Sequence, residues 1–337
     1  MSCEWHDKIF SVKENDFAEL ALDIFQFQFA ANPVYRGYVD AISKKAAEVD
    51  KIEKIPFLPI SFFKTDKIKA GEFNPAVIFE SSGTTQTINS RHYVKDVSVY
   101  VESFTKTFEK AYGKINEWCI LGLLPSYLEK GNSSLVYMVE ILIKQTHHPQ
   151  SGFYLYDLEK MKTTLLHLEA IKQKTLLVGV TYALLDFAEK YPMPLNYTTI
   201  METGGMKGRR EELTRMEVHD RLKNAFGKNE IHSEYGMTEL LSQAYSKNGR
   251  RFQCPPWMKV MIRDEEDPLT VQSSEFGVQS KKTEALTGAI NIIDLANVYS
   301  CSFIATDDVG KLYADGSFEV LGRIDGSDLR GCSLLTV

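Results

Sequence analysis

Three short segments of the chain combine glycine with hydroxyl or carboxylate side chains, as a site for phosphate or a metal ion requires. In the first, residues 79–87, serines and threonines surround Gly83. Glycine can adopt a positive φ, and such a loop exposes backbone N–H groups and hydroxyls to an anion. The chain contains no GxxxxGK[ST] string, so this is not a Walker A loop. The same residues also fit an ordinary Ser/Thr-rich turn.

The second segment, residues 234–239, follows a predicted strand and reads EYGMTE. Tyr235 could stack on a base, Thr238 could donate to a phosphate, and Glu239 could hold Mg²⁺, which prefers oxygen ligands. The alternative interpretation is a strand end with a solvated carboxylate.

The third segment, TDDVG at 306–310, leads through a predicted hairpin to GRID at 322–325. In a nucleotide site, the carboxylate of Asp308 could accept the two ribose hydroxyls and Arg323 could lie beside a phosphate. Taken alone, TDDVG is a common turn sequence.

The elements that must position these segments follow from hydrophobic periodicity. Two N-terminal helices are expected, one with an apolar face from Phe17 to Gln28 and one over 35–49, followed by an extended segment at 55–64. From residue 75, β-prone runs alternate with helical stretches, which predicts crossover connections and mainly parallel sheets. The expected strands are 76–80, 118–124, 152–156, 175–180, 198–203 and 230–235, and the expected helices are 96–112, 133–145, 157–172 and 208–225.

Beyond residue 256 the helical pattern gives way to short β-prone runs. At about 150 residues per domain, a chain of 337 residues has room for two packed units. We therefore expect an α/β protein with a smaller β-rich subdomain. The expected divisions are an N-terminal helical region at 1–74, an α/β core at 75–255, a β-rich subdomain at 256–325, and a tail at 326–337.

Composition and charge narrow the class of protein. The formal charge is −6 and the basic residues are scattered, whereas nucleic-acid binding needs clustered Lys and Arg. No apolar run approaches the roughly 18 residues of a membrane span. Glu4 and Asp7 lie where an exported protein would carry an apolar leader segment. The five cysteines form no CxxC pair. These features predict a cytoplasmic protein with free thiols, no membrane span and no nucleic-acid partner.

Other residues that could do chemistry have plainer interpretations. His147 and His148 precede Pro149 and lack a third ligand at metal spacing, which favours a solvated turn. His232 could face the site or could be a hydrogen-bonded structural histidine. Cys119 lies in an apolar strand and is expected in the core, as is the FQFQF run at 25–29.

Taken in order, SSGTT, TGGMKG, EYGMTE, TDDVG and GRID resemble the motifs of adenylate-forming enzymes, the superfamily of acyl-CoA synthetases and peptide-synthetase adenylation domains. More narrowly, the chain resembles the acyl-protein synthetase (LuxE) family. The features that carry this second resemblance are IPFLPISFFK at 55–64, LLPSYLEKGNSSLVYM at 123–138 and LRGCSLLTV at 329–337.

The resemblance implies an ATP site in the large N-terminal domain of the superfamily, built of stacked α/β sheets and a small β-rich subdomain. It assigns β- and γ-phosphate binding to the loop, adenine to the Gly204–Gly205 turn and Tyr235, the α-phosphate to Thr238, Mg²⁺ to Glu239, ribose to Asp308 and a place beside the nucleotide to Arg323. The residues it implies at the nucleotide are Ser81, Ser82, Gly83, Thr84, Thr85, Gly204, Gly205, Tyr235, Gly236, Thr238, Glu239, Asp308 and Arg323.

Three positions depart from the superfamily pattern. Gln86 stands where glycine is usual, the Pro-Lys that follows is absent with Arg91 as a possible basic substitute, and Asp307 replaces the glycine of TGD. A fourth departure is length, because only 12 residues follow Asp325 and the mobile lid domain with its catalytic lysine is not expected.

The activity that the resemblance implies is an ATP- and Mg²⁺-dependent acyl-protein synthetase. It would activate a carboxylic acid, a fatty acid in this family, as an acyl adenylate and transfer the acyl group to Cys332 for delivery to a reductase-like partner protein. Cys332 follows Arg330 and Gly331, and a neighbouring cation favours the reactive thiolate. Two alternatives remain open: a small ligase for coenzyme A or a carrier protein, and a non-catalytic subunit that binds nucleotide or acyl chains.

Overall fold

A computed structural model of the chain describes residues 3–81, 88–124, 132–204, 213–248, 250–264, 269–272 and 285–324. These residues form two compact units. As far as they are described, residues 3–104, 237–243 and 253–324 form the first unit, and residues 105–236 and 244–252 form the second.

The first unit begins with helices whose apolar faces form its core. They are α1 Cys3–Ser11, α2 Phe17–Ala31, α3 Pro33–Ala41 and α4 Phe62–Thr65. The buried face of α2 runs from Phe17 through Gln28 at helical spacing, so the prediction for this helix is confirmed. The Asn32 side chain accepts from the Tyr35 amide and begins α3.

Two N-terminal expectations were wrong. Helix α3 ends at Ala41 rather than Val49, because the chain turns at Ser43 with φ of 57°. Helix α1 was not predicted. The extended segment at 55–64 contains the short strand β1 Leu58–Pro59 and then α4.

Two sheets complete the first unit. A hairpin pairs β2 Val77–Glu80 with β3 Arg91–Val94. A five-stranded sheet contains β1 together with β10 Met258–Arg263, β11 Ala285–Asp294, β12 Phe303–Tyr313 and β13 Phe318–Arg323. Its order is β1-β12-β11-β10, and β13 also pairs with β12. All pairs are antiparallel except β1 with β12.

The prediction of β structure beyond residue 256 is confirmed, but the interpretation of one segment within it was wrong. Residues 306–310, interpreted as a turn, lie inside β12, an 11-residue strand. The register of this strand with β11 shifts between Ala289 and Asn291, so an irregularity in the ladder accompanies the TDDVG sequence.

The second unit is built around a six-stranded sheet. Its strands are β4 Cys119–Leu123, β5 Gly152–Phe153, β6 Thr175–Gly179, β7 Thr198–Thr203, β8 His232–Tyr235 and β9 Ala244–Ser246. The order is β5-β4-β6-β7-β8-β9. The first five strands run parallel and β9 is antiparallel, which confirms the predicted crossover pattern.

Helices connect these strands. They are α5 Val97–Tyr112, which belongs to the second unit from Thr105 onward, α6 Ser134–Thr146, α7 Leu158–Ala170, α8 Thr181–Lys190 and α9 Arg215–Phe226. Helix α9 was expected from residue 208, but it begins after Thr214, whose side chain forms a capping box with Glu217. It ends at Phe226 and is followed by Gly227, where φ is 61°.

None of the helices in the described ranges is long and apolar enough to cross a membrane.

Candidate functional site

The β2–β3 hairpin of the first unit holds the two ends of the phosphate-loop candidate together. The Ser81 amide donates to the Ser90 carbonyl at 3.0 Å, and the Ser90 amide donates to Ser81 Oγ at 2.9 Å. At the next register position of the hairpin, Glu80 and Arg91 form an ion pair, with Arg91 Nε 3.3 Å from Glu80 Oε1. The loop residues Ser82, Gly83, Thr84, Thr85 and Gln86 lie outside the described residues.

Buried side chains of the same unit fix the backbone of the Thr238–Glu239 turn. His92 Nδ1 lies 2.8 Å from the Thr238 carbonyl oxygen, and Asn297 Nδ2 donates to the Glu239 carbonyl oxygen at 2.7 Å. Glu239 is 0% exposed, and Thr238 is partly exposed. Thr238 and Glu239 were predicted to touch the α-phosphate and Mg²⁺. Buried side chains therefore fix the backbone of both residues.

Asp294 fixes the residues that follow Glu239. Its carboxylate accepts from the amides of Leu241, Ser242 and Ala296 and from Ser242 Oγ. Burial raises the pKa of Asp294 to about 6, although these four donors act to lower it. No motif in the sequence indicates this role of Asp294, because the residue lies inside an apolar strand pattern.

Asp307, Asp308 and Arg323 form a cluster on strands β12 and β13. Asp308 lies opposite Arg323 in the register, with Asp308 Oδ1 3.6 Å from Arg323 Nε. Arg323 Nη2 donates to Asp307 Oδ2 at 2.9 Å. Nη1 of this arginine is buried and has no hydrogen-bond partner among the described residues. The predicted ribose and phosphate residues are thus neighbours, and Asp307, noted only as a departure, binds the arginine.

Arg263 is a further charged residue of this sheet that the sequence did not single out. It is 6% exposed, and its guanidinium donates to the Ile290 and Thr306 carbonyl oxygens and to Asn291 Oδ1. These contacts join β10, β11 and β12 at the irregular register just before Asp307.

In the second unit, Gly204 and Tyr235 follow a register pair. Thr203 lies opposite Glu234 in the parallel β7–β8 ladder, so the next residues of both strands emerge at the same edge of the sheet. Gly204 has φ of 66° and is exposed, and Gly236 is exposed as well. Tyr235 is 6% exposed and its ring lies 5.8 Å from that of Phe252. Open α/β sheets bind ligands at this edge.

Two carboxyl groups at this edge were missed by sequence reasoning. Glu202 lies 3.7 Å from Arg215 and 3.6 Å from His219, and although burial acts to raise its pKa, these partners hold the pKa below its usual range. Burial raises the pKa of Glu234 to about 7, the Thr203 hydroxyl acts to lower it, and Glu202 acts to raise it. The EYGMTE pattern drew attention to Glu239 and gave no reason to weigh the glutamate that opens it.

The predicted nucleotide residues divide between the two units. The first unit contains Ser81, Thr238, Glu239, Asp308 and Arg323, and the second contains Gly204, Tyr235 and Gly236. Within the units, Thr238 adjoins Glu239, Asp308 adjoins Arg323, and Gly204 lies near Tyr235. Gly205 and Cys332, like the loop residues, fall outside the described part of the chain.

The predicted magnesium site contains one carboxylate, that of Glu239, rather than a full set of protein ligands. Among the described residues, no group of three or more His, Cys, Asp or Glu side chains could hold a metal ion. Magnesium in nucleotide sites takes one or two carboxylates and completes its shell with phosphate oxygens and water. Glu239 is the carboxylate predicted for that role, and its backbone is fixed by His92 and Asn297.

Two searches for related sequences found no match. No family model matches the chain, and no curated protein matches it.

Solved structures share its fold. ATP-bound MatB from Rhodopseudomonas palustris matches with a TM-score of 0.51 at 16% identity, over 75% of this chain and 49% of that one. A 2-hydroxyisobutyryl-CoA ligase in the postadenylation state, in complex with R3-HIB-AMP, gives 0.63 at 9% identity, over 96% and 71%. A long-chain-fatty-acid-CoA ligase, FadD1 from Archaeoglobus fulgidus, gives 0.52 at 14% identity, over 74% and 52%.

The fold is that of the N-terminal domain of adenylate-forming ligases. The expected fold class is confirmed by these matches. The chain spans about half the length of the MatB structure. At such low identity the likeness concerns the fold alone, and the site residues stay predictions.

Proposed function

We propose that the chain is an adenylate-forming ligase of the acyl-protein synthetase type. It binds ATP with Mg²⁺, activates a carboxylic acid, a fatty acid by the family resemblance, as an acyl adenylate, and passes the acyl group to Cys332 for delivery to a reductase-like partner. The observation that carries the proposal is the fold likeness to ligases solved with ATP or an AMP ester, combined with the pairing of Asp308 with Arg323 in the first unit.

The chemistry begins with attack of a carboxylate oxygen on the α-phosphorus of ATP. A bond forms between them, the bond to the bridging oxygen breaks, and pyrophosphate leaves. Thr238 donates to the α-phosphate, Asp308 accepts from the ribose hydroxyls, and Arg323 lies beside the nucleotide. Holding the two reactants in line and neutralising the developing charge supply the acceleration.

Glu239 would hold the magnesium ion. When bound, this ion would neutralise the charge of the departing pyrophosphate. The contribution of the chain is to fix the Glu239 backbone through His92 and Asn297.

The second step transfers the acyl group to sulfur. The Cys332 thiolate attacks the acyl carbon of the adenylate, AMP leaves, and a thioester forms. Three other cysteines are poor candidates, because burial raises the pKa of Cys119 to about 11 and those of Cys254 and Cys301 to about 12.

The first step can be measured by exchange of labelled pyrophosphate into ATP across a panel of fatty, aromatic and hydroxy acids. We expect exchange that requires both an acid and Mg²⁺. The Asp308→Asn variant should lower it at least tenfold, whereas Asp315→Asn, at an exposed turn of the same sheet, should not. ATP binding without exchange for any acid would favour the non-catalytic alternative.

The second step can be measured by intact-protein mass spectrometry after incubation with ATP and the active acid. The wild-type chain should gain one acyl group that hydroxylamine removes. Cys332→Ser should lose this adduct and keep pyrophosphate exchange, while Cys3→Ser should retain both. A thioester that persists in Cys332→Ser would contradict the assignment of Cys332.

One observation favours a second candidate, a ligase for coenzyme A, because two of the matched structures are CoA ligases. This activity would consume free CoA thiol in the presence of ATP and acid, and Cys332→Ser would not impair it.

A further inference from the structure

The β2–β3 hairpin contributes a buried histidine to the Thr238–Glu239 turn. His92 lies on β3, two residues after Ser90, whose amide bonds Ser81 across the base of the loop. It is 0% exposed, and the Phe63 ring packs edge-on against it at 5.9 Å. This side chain therefore joins the strand that leaves the phosphate-loop candidate to the turn that carries Glu239.

The geometry defines which nitrogen carries the proton. Nδ1 lies 2.8 Å from the Thr238 carbonyl oxygen, and a carbonyl only accepts, so Nδ1 is the donor. Burial lowers the pKa of His92, while the Thr238 carbonyl, Glu239 and the Asn297 side chain act to raise it. The ring is consequently neutral near pH 7, with Nε2 as an unprotonated acceptor.

Because of Nε2, a histidine at this position costs more free energy than an apolar side chain that only packs there. This atom is buried and has no hydrogen-bond partner among the described residues. A buried acceptor without a donor costs free energy, and a phenylalanine or leucine would fill the space without that cost. The contact of Nδ1 with Thr238 is what the imidazole provides and an apolar side chain does not.

We propose that His92 is a positioning residue, which sets the place of the Glu239 carboxylate by holding the Thr238 carbonyl. The inference rests on the proposed function in one respect, the role of Glu239 as the magnesium ligand. Partners of this kind, which hold a metal ligand without touching the metal, change metal affinity by about 10- to 100-fold when they are lost.

Three variants separate the hydrogen bond from the packing. His92→Asn keeps an N–H donor at the position of Nδ1, whereas His92→Gln moves its amide to the position of Nε2. Phe63→Leu alters the packing against the ring and keeps the donor. The measured quantity is the dissociation constant of Mn²⁺, which replaces Mg²⁺, for the full chain in the presence of ATP and without acid. Electron paramagnetic resonance monitors the binding of Mn²⁺.

We expect His92→Gln to weaken Mn²⁺ binding at least tenfold, and His92→Asn and Phe63→Leu to stay within about threefold of the wild type. Binding by His92→Gln at the wild-type level would overturn the proposal. An equal loss in Phe63→Leu would overturn it as well, because packing would then be the cause. Should His92→Gln not fold, His92→Ser removes the donor with a smaller side chain and takes its place.

Amide hydrogen exchange over residues 237–243 gives a second readout that needs no ligand. We expect faster exchange in His92→Gln than in His92→Asn, and equal exchange would overturn the positioning role. A wild-type chain that binds no Mn²⁺ with ATP would instead count against the proposed function, and the exchange result would still decide the role of His92.

Discussion

Burial controls the protonation states of Tyr112, at the end of α5, and His232, on β8. Tyr112 Oη lies 3.1 Å from His232 Nδ1. Burial, together with the charges of Lys247 and Lys228, lowers the pKa of His232 to about 4. Burial also raises the pKa of Tyr112. Both side chains are therefore neutral at pH 7, which fits the structural interpretation of His232.

We predict that His232 makes the chain sensitive to acid. Its pKa is lower in the folded state than the ordinary 6.5, so the folded state binds fewer protons and stability falls as pH decreases from about 6.5 towards 4. Between pH 7.5 and 5.0, the wild type should lose about 1–2 kcal/mol more unfolding free energy than His232→Asn, after allowance for solvent screening. Urea unfolding at both pH values measures the difference.

His167, exposed on α7 of the same unit, provides the control. His167→Asn should keep the wild-type difference between the two pH values. Equal pH dependence in His232→Asn and the wild type would contradict the prediction.

At the level of single residues, the sequence identified which side chains could do chemistry but not which groups surround them in the fold. Cys119 is buried as expected, and His147 is exposed at the end of α6 as expected. His92, Asp294 and Arg263 were not identified, because most of their partners are 27 to 146 residues away along the chain. A polar residue within an apolar strand pattern carries no local sign of such a partner.

Among the elements, strands β11 and β12 depend on a pair of opposed glycines. Gly288 lies opposite Gly310 in the register. A Cβ on Gly288 would meet the Arg263 carbonyl oxygen, and a Cβ on Gly310 would meet the Glu319 carbonyl oxygen and Ile290. The absence of side chains lets neighbouring backbones approach closely there.

We predict that Gly310→Ala destabilises the chain by about 1–3 kcal/mol, because the new methyl group must displace backbone or Ile290. Chemical unfolding followed by tryptophan fluorescence measures the change. Gly37→Ala is the matched control, since Gly37 is exposed in α3 with open space around its Cβ position. It should stabilise by about 0.5–1 kcal/mol. A Gly310→Ala chain as stable as the wild type would contradict the packing argument.

Whether a segment forms a helix or a strand was easier to predict than the residues at which it begins and ends. The alternation of strands and helices from residue 75 is confirmed, because apolar periodicity reflects which face packs. The end of α3 and the continuity of β12 were wrong. Residues 306–310 look like a turn, yet they form a strand because Arg263 and the β11 ladder hold them extended.

Across the part of the chain that the structure describes, burial raises the pKa of three cysteines that lie far apart in the sequence. Cys119 and Cys301 are 0% exposed, and burial raises the pKa of Cys254 to about 12. The fold therefore suppresses the thiolate form at these positions, in agreement with a thioester carried elsewhere.

We predict a strong contrast in alkylation rates. In the native chain, Cys119 and Cys301 should react with iodoacetamide at least tenfold more slowly than in urea, because burial disfavours the thiolate and blocks access. ATP with the active acid should protect Cys332. Peptide mapping by mass spectrometry measures each site. Native labelling of Cys301 as fast as in urea would contradict this prediction.

The sequence by itself determined the fold class, most of the sheet-forming and helix-forming segments, and the nucleotide candidates, because periodicity and short motifs are local properties. The tertiary structure decided what holds those candidates. It brought His92 and Asn297 to the Thr238–Glu239 turn, Asp307 to Arg323, and Thr203 to Glu234. Hydrogen bonding and desolvation depend on three-dimensional neighbours, and residues far apart along the chain become neighbours only when it folds.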